Sequence, residues 1–191
     1  MKGNIKCIIF DLDGTLFDAP YDWEAIKKIL KVPKGKTILS YIASLPAQLK
    51  KEKMKLLESF EKEATEKGRL KKGAKKLLKM LKAKNIKRIL LTNNTMKNVH
   101  YIMEKYKIDF DMVITRESGM TKPGDAAVCY VLETLHLSRR EAALVGDSDY
   151  DVKTAILSRL PLIIVGEKAA QGSFIYVKNI TELTNLLLEN L

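Results

Sequence analysis

Asp11 and Asp13 are the residues whose type and spacing first suggest chemistry. They close the apolar run Lys6-Cys7-Ile8-Ile9-Phe10 and are followed by Gly14-Thr15-Leu16. Residues two apart in extended backbone point to the same side, so both carboxylates would project together while Leu12 turns away. Like charges held that close raise each other's pKa. A divalent cation relieves the repulsion, and hard carboxylate oxygens suit Mg2+. Gly14 gives the backbone freedom for a sharp turn directly afterwards. The ordinary alternative for these residues is a polar turn after a core strand, and only residues further along the chain decide between the two.

The elements that would position such residues are legible from the apolar pattern. Residues 7–10 form a continuous apolar run without alternation, the pattern of a strand covered on both faces. From Gly73 onward strands and helices alternate. The strand runs are Arg88–Thr92, Met112–Thr115, Ala142–Gly146 and Leu162–Val165, with a further edge strand over Phe174–Val177. Helical spacing lies between them: Ala74, Leu77, Leu78 and Leu81; Val99, Ile102, Met103 and Tyr106; Val128, Val131, Leu132 and Leu135; and a closing helix over 181–188. Asn85 is placed for a left-handed C-cap, Asp125 for an N-cap, and Ser138 with Glu141 for a capping box. This alternation predicts an α/β fold, a parallel sheet between two helical layers. Ligands bind such sheets at the carboxyl ends of the strands. Asp11, Asp13, Thr92, Lys122 and Asp147 all fall at or just beyond strand ends, on one rim.

Residues 19–70 interrupt this order with helix alone. A helix carrying Trp23, Ile26, Ile29 and Leu30 is followed by a short one through Ile38, Leu39 and Ile42, then by a long amphipathic one over 47–67. Gly68 is a plausible C-cap for the last. The expected organisation is therefore a core of 1–18 and 71–191 with a small helical insertion of 19–70.

Composition narrows the class. A chain of 191 residues, 46% hydrophobic, suits one core with a modest insertion. No apolar run reaches the ~18 residues needed to span a bilayer, and no signal-peptide h-region follows the first lysine. Cys7 and Cys129 are not spaced as metal ligands and read as small core residues, so a reducing cytoplasm is expected. The net charge is +11, of which the seven lysines of 71–84 supply +7. Those lysines alternate with Ala74, Leu77, Leu78 and Leu81 at helical intervals, as on the solvated face of an amphipathic helix. No aromatic residues interleave them, which argues against a nucleic-acid surface.

Asp11-Leu12-Asp13-Gly14-Thr15, a strand ending in Thr92, Lys122-Pro123, and Gly146-Asp147-Ser148-Asp149-Tyr150-Asp151 together resemble the four ordered motifs of the haloacid dehalogenase superfamily. The likeness runs from about residue 5 to the C-terminus. The helical insertion resembles that family's C1-type cap, at the small end, which points to the branch containing phosphoglycolate phosphatase and β-phosphoglucomutase. The resemblance implies a Rossmann-like core and a Mg2+-dependent phosphatase acting on a small phosphorylated metabolite. Asp11 would be the nucleophile that forms an aspartyl-phosphate, and Asp13 the general acid and base. Thr92 and the backbone N–H of Asn93 would hold phosphoryl oxygens, and Lys122 would offset their charge. Asp11, the backbone carbonyl of Asp13 and Asp147 would hold the metal, with Asp151 orienting metal-bound water or Lys122. Taken singly, Thr92 is better explained by a strand-end turn, and Lys122 better still by a solvated loop.

The second acid, Asp13, points to phosphate esters, because dehalogenating and phosphonate-cleaving branches of that superfamily lack it. Leu12 stands where P-type ATPases carry a lysine. Two positions depart from the family pattern: Asp125 replaces the second proline of Lys-Pro-x-Pro, and Ser158-Arg159-Leu160 replaces a glycine-containing turn. A phosphomutase resembling β-phosphoglucomutase and a non-catalytic phosphate-binding protein remain as alternatives. Tyr21, Trp23, Lys34, Lys36 and Tyr41 are candidates for choosing the substrate. A monomer or weak dimer is expected, with no membrane or nucleic-acid partner.

Overall fold

The computed structural model describes residues 5–166 and 174–190. Strand β1 (Cys7–Phe10) lies between β4 (Lys87–Leu91) and β6 (Ala142–Gly146). Outside β4 lies β5 (Met112–Ile114), and outside β6 lie β7 (Leu162–Val165) and then β8 (Ile175–Val177). Every pairing within this six-stranded sheet is parallel, so each connection must cross over and helices cover both faces.

Alternation along β1 divides its side chains between the two faces. Cys7 and Ile9 join a core with Ile89, Leu91, Leu144 and Ile164, closed by Val128 and Val131 of α6 (Ala126–Thr134) and Ala155 of α7 (Asp149–Ser158). Ile8 and Phe10 are equally buried and turn to the opposite face. On that face α4 (Ala74–Ala83) packs against β4, and α8 (Ile180–Asn190) against α4 and β8. Burying Ile8, Ile9 and Phe10 contributes roughly 1.5–3 kcal/mol each, so the strand that ends in Asp11 is firmly held. The lysine-rich α4 buries Ala74, Leu77, Leu78 and Leu81 and turns its lysines outward.

Two short elements differ from the sequence reading. Strands β2 (Phe17–Asp18) and β3 (Arg69–Leu70) pair antiparallel, so Arg69 and Leu70 are strand residues instead of the end of the helical insertion. Two residues are too few to carry a readable period. The chain divides accordingly into one compact unit of 1–18 and 69–191 and another of 19–68. Gly68 closes α3 as its C-cap, with φ −74° and ψ 170°, extended backbone that leads directly into β3. Asn85 is left-handed as expected, with φ 58°. Asp125 precedes α6 but makes no capping bond with its side chain, and Cys129 is only partly buried.

The helical unit consists of α1 (Trp23–Leu30), α2 (Ile38–Ala43) and α3 (Ala47–Lys67). Asp22 caps α1 by accepting from Ala25 N at 2.9 Å, and Thr37 caps α2 by accepting from Ser40 N at 3.1 Å. Ile26, Leu30, Ile38, Ile42 and Leu57 form its interior. Among the described residues no helix is long and apolar enough to cross a membrane.

Candidate active site

The turn after β1 is fixed by its own backbone. Asp11 N donates to Val145 O at 2.9 Å, extending the parallel ladder one residue beyond the strand. The Leu12 carbonyl then accepts from Leu16 N at 2.9 Å and Phe17 N at 2.8 Å, which folds the chain back on itself. Gly14 has φ 88°, and a Cβ there would lie 2.1 Å from Asp147 Oδ2. Both the backbone and the close approach therefore require glycine. Lys71 ties down the far side of the turn, with its N–H on Leu16 O at 2.9 Å and its Nζ on Gly14 O.

Asp11, Asp147 and Asp151 come from the carboxyl ends of β1 and β6 and the first turn of α7. A carboxylate oxygen of each lies within 4.8 Å of the others. Lys122, from the loop between β5 and α6, donates its Nζ to Asp11 Oδ1 at 2.5 Å and to Asp151 Oδ1 at 2.6 Å. The other oxygen of Asp151 accepts from Ser148 Oγ at 2.6 Å, Ser148 N at 3.1 Å and Asp147 N at 3.2 Å. Gly146 makes room for it, since a Cβ there would meet the Asp151 side chain at 2.3 Å. Thr15 Oγ1 donates to Asp147 Oδ1 at 2.8 Å and lies 3.5 Å from Asp11 Oδ2.

The charges of this cluster are unequal. Burial holds the Asp11 carboxyl well above its usual range; Lys122 opposes the rise, while Asp151 and Asp147 add to it. Asp147 is raised for the same first reason, burial, against the Thr15 hydrogen bond. Burial would also raise Asp151, but the Lys122 ammonium and the Ser148 hydrogen bonds together outweigh it and the net shift is downward. Burial would lower Lys122, yet Asp11 and Asp151 raise it. Three carboxylates and one ammonium leave a formal −2 when all are ionised. A buried set of hard oxygens with that imbalance could hold a metal ion. Asp11 and Asp147 suit ligation best, because both Asp151 oxygens already serve Lys122 and the 147–148 turn.

The carboxylate of Asp13 stands apart from this cluster and accepts from Asn94 Nδ2 at 2.9 Å through Oδ2. Thr92 is buried at the end of β4, with its N–H on Ile114 O at 3.0 Å. Its hydroxyl oxygen accepts from Asn94 N at 3.0 Å, which leaves the hydroxyl hydrogen free to donate. The Asn93 side chain engages the main chain of Lys122, and the Lys122–Pro123 peptide is cis. Sequence reasoning singled out Asp11, Asp13, Thr92, Asn93, Lys122, Asp147 and Asp151, all of which lie on this rim. It gave no role to Thr15, Asn94, Asn98, Ser148 or Lys71. Such short polar residues beside strand ends look like ordinary caps until their cross-loop partners are known.

In the helical unit, Tyr21 and Trp23 stack at 4.3 Å between ring centroids. Tyr21 and Tyr41 pack against that unit's interior, whereas Trp23, Lys34 and Lys36 are exposed.

A model of the haloacid dehalogenase-like hydrolase family matches residues 5–158 of this sequence. A haloacid dehalogenase-like hydrolase domain-containing protein of Arabidopsis thaliana is 25% identical over 158 residues, which cover 77% of this chain and 64% of that protein. The chain thus spans about two-thirds or less of that relative's length. An uncharacterized hydrolase of Saccharomyces cerevisiae is 28% identical over 158 residues, covering 79% and 72%. Among solved structures, a "predicted phosphatase" from Clostridium acetobutylicum superimposes with a TM-score of 0.76 over 97% of this chain and 99% of that one, at 20% identity.

Proposed function

The chain belongs to the haloacid dehalogenase-like hydrolase family, and we propose that it is a Mg2+-dependent phosphatase that cleaves a small phosphomonoester through an aspartyl-phosphate on Asp11. One observation carries this reading: the unlike surroundings of two acids two residues apart. Asp11 is buried against Lys122 and close to Asp147, while Asp13 is held by the neutral amide of Asn94. Paired carboxylates in different environments divide between roles.

In this reading a carboxylate oxygen of Asp11 attacks phosphorus in line, and the bond to the leaving oxygen breaks. Asp13 gives its proton to the departing alcohol. It then takes a proton from the water that attacks phosphorus, releasing inorganic phosphate and restoring the Asp11 carboxylate. The Thr92 hydroxyl and the Asn93 N–H hold phosphoryl oxygens. Lys122, kept protonated by its two acids, offsets the charge of nucleophile and phosphoryl group together. Asp151 orients Lys122. Asp11, Asp147 and the Asp13 carbonyl would hold Mg2+, which when bound stabilises negative charge on the phosphoryl oxygens. The helical unit 19–68 is the cap of this reading, and the substrate is a small phosphorylated metabolite.

Turnover in 18O-labelled water tests it. Label is expected in the released phosphate, with simple turnover and no need for a bisphosphate activator. An isomerised sugar phosphate as main product would assign a mutase instead, and saturable binding without either product would leave a binding protein.

A further inference from the structure

We propose that Asn94 is a positioning residue for Asp13, and that Asn98 fixes the orientation in which Asn94 works. The inference deepens the phosphatase reading and rests on the acid role of Asp13 given there. A side-chain amide presents a donor on one edge and an acceptor on the other, so its use depends on which way round it is held. Asn94 Oδ1 accepts from Thr95 N at 2.8 Å and from Asn98 Nδ2 at 2.9 Å. With two donors on that edge, the NH2 group is turned toward Asp13 and donates to its Oδ2.

Reversing the amide would set its oxygen against the Asp13 carboxylate and its NH2 against two other donors. Each such mismatch in a buried place costs on the order of 1–3 kcal/mol, and Asn94 and Asn98 are both buried. The anchor itself is rigid. Asn98 sits in the first turn of α5 (Met96–Tyr106), where Thr95 Oγ1 accepts from its N–H at 3.2 Å. Thr92 Oγ1 accepts from Asn94 N, so the same short segment carries the Thr92 hydroxyl and the amide that aims Asp13. The helix start thereby fixes a carboxylate on a loop 81 residues away in sequence. An acid that protonates a leaving group needs such fixing, because small misplacements of a reacting group are costly in rate.

The leaving group reports on this role, since a stable departing anion needs little help from an acid. With Mg2+ present, kcat/KM is measured on p-nitrophenyl phosphate and on unsubstituted phenyl phosphate for wild type, Asp13→Asn, Asn94→Ala and Asn98→Ala. Asn94→Ala is expected to lose roughly tenfold or more on phenyl phosphate, part of the ~10^2–10^4-fold that a general acid supplies. On p-nitrophenyl phosphate it should stay within about twofold of wild type. Asn98→Ala should show a smaller loss with the same leaving-group dependence, and it carries the test should Asn94→Ala fail to fold. Equal losses on both substrates, or none, would overturn the inference. If Asp13→Asn shows leaving-group dependence and the asparagine variants do not, this inference alone fails. If Asp13→Asn shows none, the acid role of Asp13 fails with it.

Discussion

The side-chain amide of Asn93 clamps the main chain of Lys122 from both sides: Nδ2 donates to Lys122 O at 2.7 Å, and Oδ1 accepts from Lys122 N at 2.8 Å. An amide edge matches a peptide edge, so this side chain supplies what a neighbouring strand would supply in a ladder. The clamp sets the position from which Lys122 reaches Asp11 and Asp151. Asn93→Ala is expected to lower kcat/KM by roughly tenfold, with the circular dichroism spectrum unchanged. Asn93→Asp should lose more, because it sets an acceptor against the Lys122 carbonyl. Wild-type kinetics in both variants would show that the clamp does not hold the lysine.

Asp11→Asn removes the charge of the oxygen proposed to attack and leaves Lys122 with one acid instead of two. Turnover should fall by roughly 10^3-fold or more. A variant that keeps a tenth of wild-type activity on its best substrate would remove Asp11 from the nucleophile's role.

Excess chelator should abolish hydrolysis and added Mg2+ restore it, whereas Ca2+, with its larger and looser shell, should substitute poorly. Asp147→Asn should raise the Mg2+ concentration needed for half-maximal rate. Undiminished hydrolysis in EDTA would sink the metal assignment.

Asp111 offers a test of stability against pH at the amino ends of the strands, where it precedes β5 and meets Arg88 near the start of β4. Its Oδ2 accepts from Arg88 N at 2.9 Å and from Arg88 Nε at 3.0 Å. Burial would raise the Asp111 carboxyl, but these bonds and the arginine charge lower it overall. A carboxylate lowered on folding stabilises the protein above its unfolded pKa of about 4, and the stabilisation is lost as pH falls through the lowered folded value. Asp111→Asn should therefore be less stable than wild type at pH 7, by up to about 1 kcal/mol for so solvent-screened a pair. The gap should shrink in urea titrations repeated toward pH 3. A gap of constant size would assign it to shape instead of charge.

The core strands and the rim were legible because each apolar run stops at a polar residue, and a parallel sheet brings those stops together. Asp11, Thr92 and Asp147 could be read that way. Lys122 lies in a loop, and only its place among the ordered motifs made it visible. The hydrogen bonds that give the rim its geometry could not be read. Asn94 meets Asp13 across 81 residues and Thr15 meets Asp147 across 132, and nothing in the local pattern around an asparagine or threonine reports a partner so distant. Arg69 and Leu70 were misassigned for a different reason, since a strand of two residues leaves no alternation to detect. Gly68 was legible as the C-cap of α3 from its residue type, but its extended backbone is decided by the pairing of the next two residues.

The placing of β1 between β4 and β6 also bears on synthesis at the ribosome. A chain emerges from its N-terminal end, so β1 appears well before either neighbour. Of its two neighbours β4 comes first in sequence, and the other edge of β1 cannot be paired before Ala142–Gly146 has been made. Until then the nascent chain exposes an open strand edge, a template for association with other chains. Asp11 also lacks Asp147 and Asp151 for the same interval. The Asp11, Asp147 and Asp151 cluster is therefore completed only at the late moment when β6 and the first turn of α7 dock, and the open edge then passes to β6 until β7 pairs with it.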